Sequence, residues 1–200
     1  MPKIKHTKNE LKIQRDALIR FQRYLPTLEL KKQQLQIEVR RIQRAVEEKQ
    51  IEYDRLMADL ETWVALFAED ARLETFISLA GVNVTETNIA GVSIPVFREA
   101  VFERKVPDLF ATQPWVDDGI NFLERAWRVL IEKRILEQEL ALLRAELLVT
   151  SQRVNLFEKI KIPEAAENIR VIRIFLGDDQ TAGVARSKIA KAKSEALRSA

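Results

Sequence analysis

The sequence contains no cysteine and one histidine, His6, in 200 residues. Without cysteine, a disulfide scaffold, a thiol nucleophile and a cysteine zinc site are excluded. With one histidine, a Ser-His-Asp triad and a histidine-rich metal site lose their usual carrier. His6 lies in a basic end without neighbouring ligand groups, so no metal role is assigned to it. Glycine is equally scarce. The chain has five, with none in residues 1–80 or 120–176. A sandwich, a barrel or a βαβ array needs turns in those stretches, and turns draw on glycine and proline. Long helices are what remain. Phosphate loops of the GxxxxGK[ST] or GxGxxG type are also missing. The longest uncharged runs, Thr75–Thr85 and Thr87–Phe97, are too short for a membrane span. The opening MPKIKHTKNELKIQRD has no apolar core of a signal peptide. These features predict a soluble cytoplasmic chain, with no direct membrane insertion, that reaches a membrane only through partners.

What the chain does have is charge and apolar residues in an ordered arrangement. Hydrophobic residues make up 46% and charged residues 32%, with a net charge of +3. Residues 1–25 carry seven Lys/Arg against two Asp/Glu, and residues 184–200 carry five against one. Residues 58–119 reverse this, with four Lys/Arg and eleven Asp/Glu. Basic ends flanking an acidic middle fit either solvated faces or two differently charged binding regions.

The apolar residues follow the 3,4 spacing of a coiled coil. The frame runs Leu11, Gln14, Leu18, Phe21, Leu25, Leu28, Lys32, Leu35, Val39, Ile42, Val46, Lys49, Tyr53, Leu56, Leu60, Trp63 and Phe67, and fourteen of the seventeen are apolar. Chance at this composition gives about eight. The spacing passes through Pro26, which therefore predicts a kink and not an end. The helix is expected to fade near Ser78–Gly81. Residues 82–103 are dense in Val, Ile and Thr in two runs separated by Ala90-Gly91. They predict a β-hairpin, with Gly91 supplying a positive φ at the turn. A second helix is expected from about residue 114. Its seam is Val116, Ile120, Leu123, Trp127 and Leu130, with a slip at Ile131–Ile135. It resumes at Leu136, Leu140, Leu143, Leu147, Thr150, Val154 and Phe157. Pro163 is expected to kink or break it, Ala165, Ile169, Ile172 and Leu176 to continue it for about three turns, and Gly177 and Gly183 to stop it.

The expected fold is mainly α, a long antiparallel two-helix coiled coil with a small β-hairpin at the chain reversal. Its segments are a long helix over 1–81, hairpin and loop over 82–113, a second long helix over 114–176, and a basic tail over 177–200 that is either a short helix or mobile. Two such helices form a rod, with both basic termini at one pole and the acidic hairpin at the other. Reversal about residue 96 places position i opposite 192 minus i. Pro26 then lies nearly level with Pro163, a shared bend, and Trp63 lies close to Trp127.

No catalytic group emerges. Neighbouring carboxylates such as Glu47-Glu48 and Asp117-Asp118 read as solvated or as helix-start residues. Trp63, Trp115 and Trp127 read as core. The mixed run Arg20-Phe21-Gln22-Arg23-Tyr24 is a weak nucleic-acid signal, because Phe21 belongs to the seam. No cofactor is expected.

One run is more specific. Arg153, Val154, Asn155, Glu158, Ile162, Pro163, Ile169, Ile172 and Leu176 resemble the RVNxxExxxIPxxxxxIxxIxxxL signature of the D subunits of V-type and A-type rotary ATPases. Thr7-Lys8, Glu10-Leu11 and Leu30-Lys31-Lys32 are similar to that family's TKxEL and LKxKR elements, and Asn88–Pro95 to its hairpin. The resemblance implies a non-catalytic rotor shaft that passes torque between ATP chemistry and ion transport. One end would enter the hexamer of A and B subunits. The other, with the F subunit alongside, would seat in the socket subunit above the membrane ring. It implies no nucleic-acid partner. The rival reading is a free-standing coiled-coil scaffold or adaptor, which would show the same periodicity without the signature.

Overall fold

The computed structural model describes residues 4–68, 72–108 and 112–199. Helix α1 is Lys8–Glu61, strands β1 and β2 are Ile77–Ile89 and Val92–Arg104, and helix α2 is Val116–Leu156. A single π-helical turn, Phe157–Lys161, joins α2 to helix α3, Ile162–Ser199. The architecture is mainly helical, with a two-stranded antiparallel hairpin between two long helical stretches. Two compact units emerge from the contacts: residues up to 30 with those from 150 onward, and residues 31–149.

α1 starts where its first turn is capped. The Glu10 amide donates to Thr7 Oγ1 at 3.2 Å, and Gln14 Nε2 donates to Glu10 Oε1 at 2.8 Å. This satisfies one amide that the first turn leaves without an intrahelical acceptor. All seventeen frame positions of the first seam are buried or half-buried, so the 3,4 spacing does mark the inward face. The helix nevertheless ends at Glu61, well before Ser78–Gly81. Short 3₁₀ turns follow at Val64–Ala68 and Leu73–Thr75, with Arg72 at φ 46° before the second. Trp63 and Phe67 stay inward without a helix beneath them, because aromatic partners hold them. Trp63 meets Phe122 edge-on at 5.5 Å, and Phe67 lies 5.3 Å from Trp115.

In the unit of residues 31–149, the hairpin folds back along the helices. Its tip, Ile89, Ala90, Val92 and Ile94, packs with Leu35 and Ile42 of α1 and with Leu140 and Leu143 of α2. Its base, at Ile77 and Phe102, packs with Val116, Ile120, Leu123 and Trp127. From residue 120 to residue 143 is about 34 Å of helix, close to the span of a thirteen-residue strand. The ribbon therefore lies against this unit's helices and does not stand beyond their ends. Two register shifts, between Leu79 and Gly81 and between Asn83 and Val84, add the twist that lets it follow them.

This placement explains the slip at Ile131–Ile135. The first part of α2 has two apolar faces. Val116, Ile120, Leu123 and Trp127 meet the hairpin, while Phe122 meets α1 through Trp63. Ala126 and Val129 are buried as well, whereas Leu130, expected in the seam, is 43% exposed. Gly119 serves the same crowded end: a Cβ there would lie 3.1 Å from Trp115 Cζ3.

The contacts also correct the register. Lys31 pairs with Glu146 at 2.6 Å and Lys49 with Glu132 at 2.9 Å, while Phe21 faces Phe157 at 5.2 Å. Partner numbers therefore sum to about 180, not 192. The expected sum rested on a first helix reaching residue 81, and an earlier end moves the point of reversal. Trp63 accordingly meets Phe122, and Trp127 stacks on Phe102 at 6.2 Å. Pro26 lies opposite about residue 154, roughly 13 Å along the axis from Pro163, so the two prolines do not share a bend.

Glu139 is the one strongly buried carboxylate among the described residues, 5% exposed on α2. Burial raises its pKa above the ordinary glutamate value, and Arg41 only partly opposes this. A raised carboxyl favours the folded state while protonated. That stability is lost as pH climbs from about 4.5 through the raised value. Glu139→Gln is therefore expected to stabilise the chain at pH 7 and to raise its Tm. Thermal melts at pH 7 and pH 4 check this, since the gain should vanish at the lower pH.

Candidate functional site

The signature residues occupy the unit built from the start of α1, the end of α2, the π turn and α3. They divide by chemistry. Val154, Ile169 and Ile172 are buried, at 3%, 6% and 0% exposure. Ile162 and Leu176 are half-buried, and Arg153, Asn155, Glu158 and Pro163 are exposed. Pro163 apart, the apolar members are thus turned inward, and Arg153, Asn155 and Glu158 are presented outward. Around them, Phe21 meets Phe157 and His6 meets Phe175 at 4.8 Å. Asn168 Nδ2 donates to Gln14 Oε1 at 3.4 Å. His6 is thereby engaged as an aromatic neighbour.

The π turn sits in the middle of the signature and has a sequence cause. On either side of the π turn, where Lys161 and Ile162 are also half-buried, the inward positions fall at 150, 154 and 157 and at 165, 169, 172 and 176. The step from 157 to 165 is eight residues where a heptad allows seven. One surplus residue would rotate everything after it by about 100° off the interior face. The π turn absorbs it, with the Ile162 amide reaching back to the Phe157 carbonyl. Pro163, which has no amide hydrogen, follows directly where the ladder is already irregular. The expected kink or break is therefore a widened turn within a continuous helical path. The eight-residue gap was the available sign of it.

The expected stop at Gly177 and Gly183 does not occur, for α3 runs on to Ser199. Neither glycine has a positive φ. Each costs about 1 kcal/mol in a helix interior, and the alanine- and lysine-rich stretch after them favours helix. Ala165, 3% exposed, lies on the buried face with Ile169 and Ile172, as the spacing after Pro163 leads one to expect.

The hairpin turn is Ala90-Gly91, at φ 50° and 83°. Both values lie in the left-handed region, as a two-residue type I′ turn requires. The Gly91 amide donates to Asn88 Oδ1 at 2.9 Å.

In the other unit, charge flanks the seam on both sides. Lys31 and Lys49 are eighteen residues apart, five full turns, so they share one flank. Their partners Glu146 and Glu132 are two heptads apart. Glu52 also holds Lys49, and these carboxylates raise its pKa against the effect of burial. Gln43 lies on the opposite flank, where its Oε1 accepts from Arg144 at 3.0 Å.

Among the described residues no group of three His, Cys, Asp or Glu side chains could hold a metal ion. No described helix is long and apolar enough to cross a membrane. The geometry is one of paired helices with polar groups turned outward.

A family model for the ATP synthase D subunit matches residues 10–192. The chain is 47% identical to a V-type ATP synthase D subunit of Borreliella burgdorferi, over 96% of this chain and 95% of the relative. It is 34% identical to one of Chlamydia pneumoniae, over 96% and 93%. Against one of Chlamydia muridarum it is 32% identical, over 95% of each.

Proposed function

We propose that this chain, which belongs to the ATP synthase D-subunit family, is the non-catalytic central rotor shaft of a V-type ATP synthase. It transmits torque between the hexamer of A and B subunits and the membrane ring that moves ions. The F subunit and the socket subunit on the ring are its other partners. Its place is cytoplasmic and peripheral to the membrane, within the complex.

The observation that carries this reading is the inward seam of α1, kept out of full exposure at all fifteen frame positions from Leu11 to Leu60. Twisting a helix pair makes one helix slide along the other, and sliding must break the contacts between them. In residues 31–149 both flanks resist it, through Lys31–Glu146 and Lys49–Glu132 on one and Gln43–Arg144 on the other. Partly exposed pairs contribute little to stability one at a time, but together they specify register. The exposed Arg153, Asn155 and Glu158 offer directional polar contacts to whatever encloses that segment.

Reconstitution tests the proposal. The purified chain should not hydrolyse ATP. A complex assembled from the remaining subunits should hydrolyse ATP without moving ions, and adding this chain should restore ion transport. Hydrolysis by the pure chain, or full transport in its absence, refutes the shaft assignment.

A further inference from the structure

Helix α3 outruns its partner. Among the described residues, its side-chain contacts with the start of the chain are Asn168 with Gln14 and Phe175 with His6, and Leu176 closes its inward face. The helix nevertheless goes on to Ser199, about 35 Å further. From Gly177 to Ala196 every residue except Gly183 is exposed. A helix exposed on all sides buries no face, and a packed face is where most helical stability comes from. The bonds inside the segment are weak substitutes. Arg186 pairs with Asp179 at 3.4 Å and Lys191 with Glu195 at 3.8 Å, all four side chains more than 60% exposed. The hydroxyls of Thr181 and Ser187 donate back to the Gly177 and Gly183 carbonyls, which slightly loosens a helix. Each glycine lowers the helical population about fivefold relative to alanine.

We infer that residues 178–196 are a conditional helix, frayed in the free chain and locked when a carboxylate-lined sleeve of partner protein closes around it. Charge defines the lining. Residues 184–200 carry five Lys/Arg against one acid, Glu195, and an enclosed cation needs a carboxylate to take its donors. The distribution around the helix defines the shape. Val184, Lys188 and Lys191 share one face. Arg186, Ile189 and Lys193 share the opposite one, because two residues turn a helix by about 200°. Val184 and Ile189 are 52% and 59% exposed, so each face offers an aliphatic side chain beside two cations. A membrane surface or a flat partner covers one face and leaves the other in water. Nucleic acid would answer the cations and leave both aliphatics uncovered. The ordering cost is met on binding, which ties formation of this helix to assembly. The inference rests on the rotor-shaft reading, because the partner belongs to the assembled ATPase.

Hydrogen exchange on the free chain and on the assembled ATPase tests this. In the free chain, amides 178–196 should exchange about a hundredfold or more faster than those of residues 165–176 on the same helix. Assembly should slow them about tenfold or more. Gly177→Ala combined with Gly183→Ala fits the space, since a Cβ at either position meets nothing within 4 Å. That variant should raise protection of the segment in the free chain about tenfold or more and leave residues 165–176 unchanged. A carbodiimide, which joins an amine directly to a carboxylate, should link Lys188 or Lys191 on one face, and Lys193 on the other, to acidic residues of other subunits. Equal protection of the two stretches in the free chain overturns the conditional helix. So does an active, assembled complex in which the segment gains no protection. Links from one face only, or none, overturn the sleeve. Protection gained from DNA or anionic vesicles alone overturns the choice of a protein partner. All four results leave the rotor assignment intact. Failure of the wild-type chain to enter the ATPase removes that assignment, and the inference with it.

Discussion

Replacing Leu35 with alanine is expected to lower stability by about 3–4 kcal/mol, one of the largest losses available to a single side chain here. Leu35 is fully buried, and its cluster joins three elements: Ile42 on α1, Leu140 and Leu143 on α2, and Ile94 near the tip of the hairpin. Truncation leaves a cavity that no single element can close, since each is braced against the other two. Urea denaturation checks the loss. Ile37→Ala, two residues away on the exposed face, should stay within about 0.5 kcal/mol of wild type. Hydrogen exchange adds a sharper reading. Amides around Ile89–Ile94 should lose protection in Leu35→Ala before those at the hairpin base, where a separate cluster around Ile77, Val116 and Ile120 is untouched. Unchanged protection at the tip would mean that the hairpin is not held against α1.

Single-residue deletions should differ sharply according to where they fall. Removing Lys159, inside the π turn, shortens the eight-residue step between Phe157 and Ala165 to seven. The widened turn can then close into ordinary α-helix while Ala165, Ile169 and Ile172 keep facing inward. Stability within about 1 kcal/mol of wild type is expected. Removing Arg40 from α1 has no such outlet. Ile42, Val46 and every later frame position rotate by about 100° relative to Leu35 and Val39. Ile42, 2% exposed, leaves the interior, and the Lys49–Glu132 contact is lost. A cost on the order of 5 kcal/mol follows from the displaced core side chains. Thermal melting of the two deletion variants beside wild type decides the matter. Equal losses would show that the π turn is not a register device.

The helices, their inward faces and the hairpin between them were legible from composition and spacing. Each depends on neighbours along the chain. A 3,4 repeat puts side chains on one face whatever the partner is, and a β-branched run with a glycine-bearing break reads as paired strands in any setting. The family was legible for a related reason. Its signature runs from Arg153 to Leu176 in one continuous stretch, so the chain order preserves it.

The features that escaped depend on packing between distant parts. The end of α1 at Glu61 and the hairpin's return to Leu35 are set by which apolar surfaces remain to be covered, and the spacing within α1 carries no record of that. The same surfaces set the register, which is why partner positions estimated from helix lengths missed by roughly three helical turns. The second apolar face of early α2 looked like a fault in the heptad until the hairpin supplied its partner. Helix α3 continues past Gly177 and Gly183 because glycine weakens a helix without forbidding it, and only a left-handed cap would have ended it there. Local periodicity assigns faces, whereas the order in which faces meet is chosen by the total apolar area buried, a quantity that exists only for the folded chain.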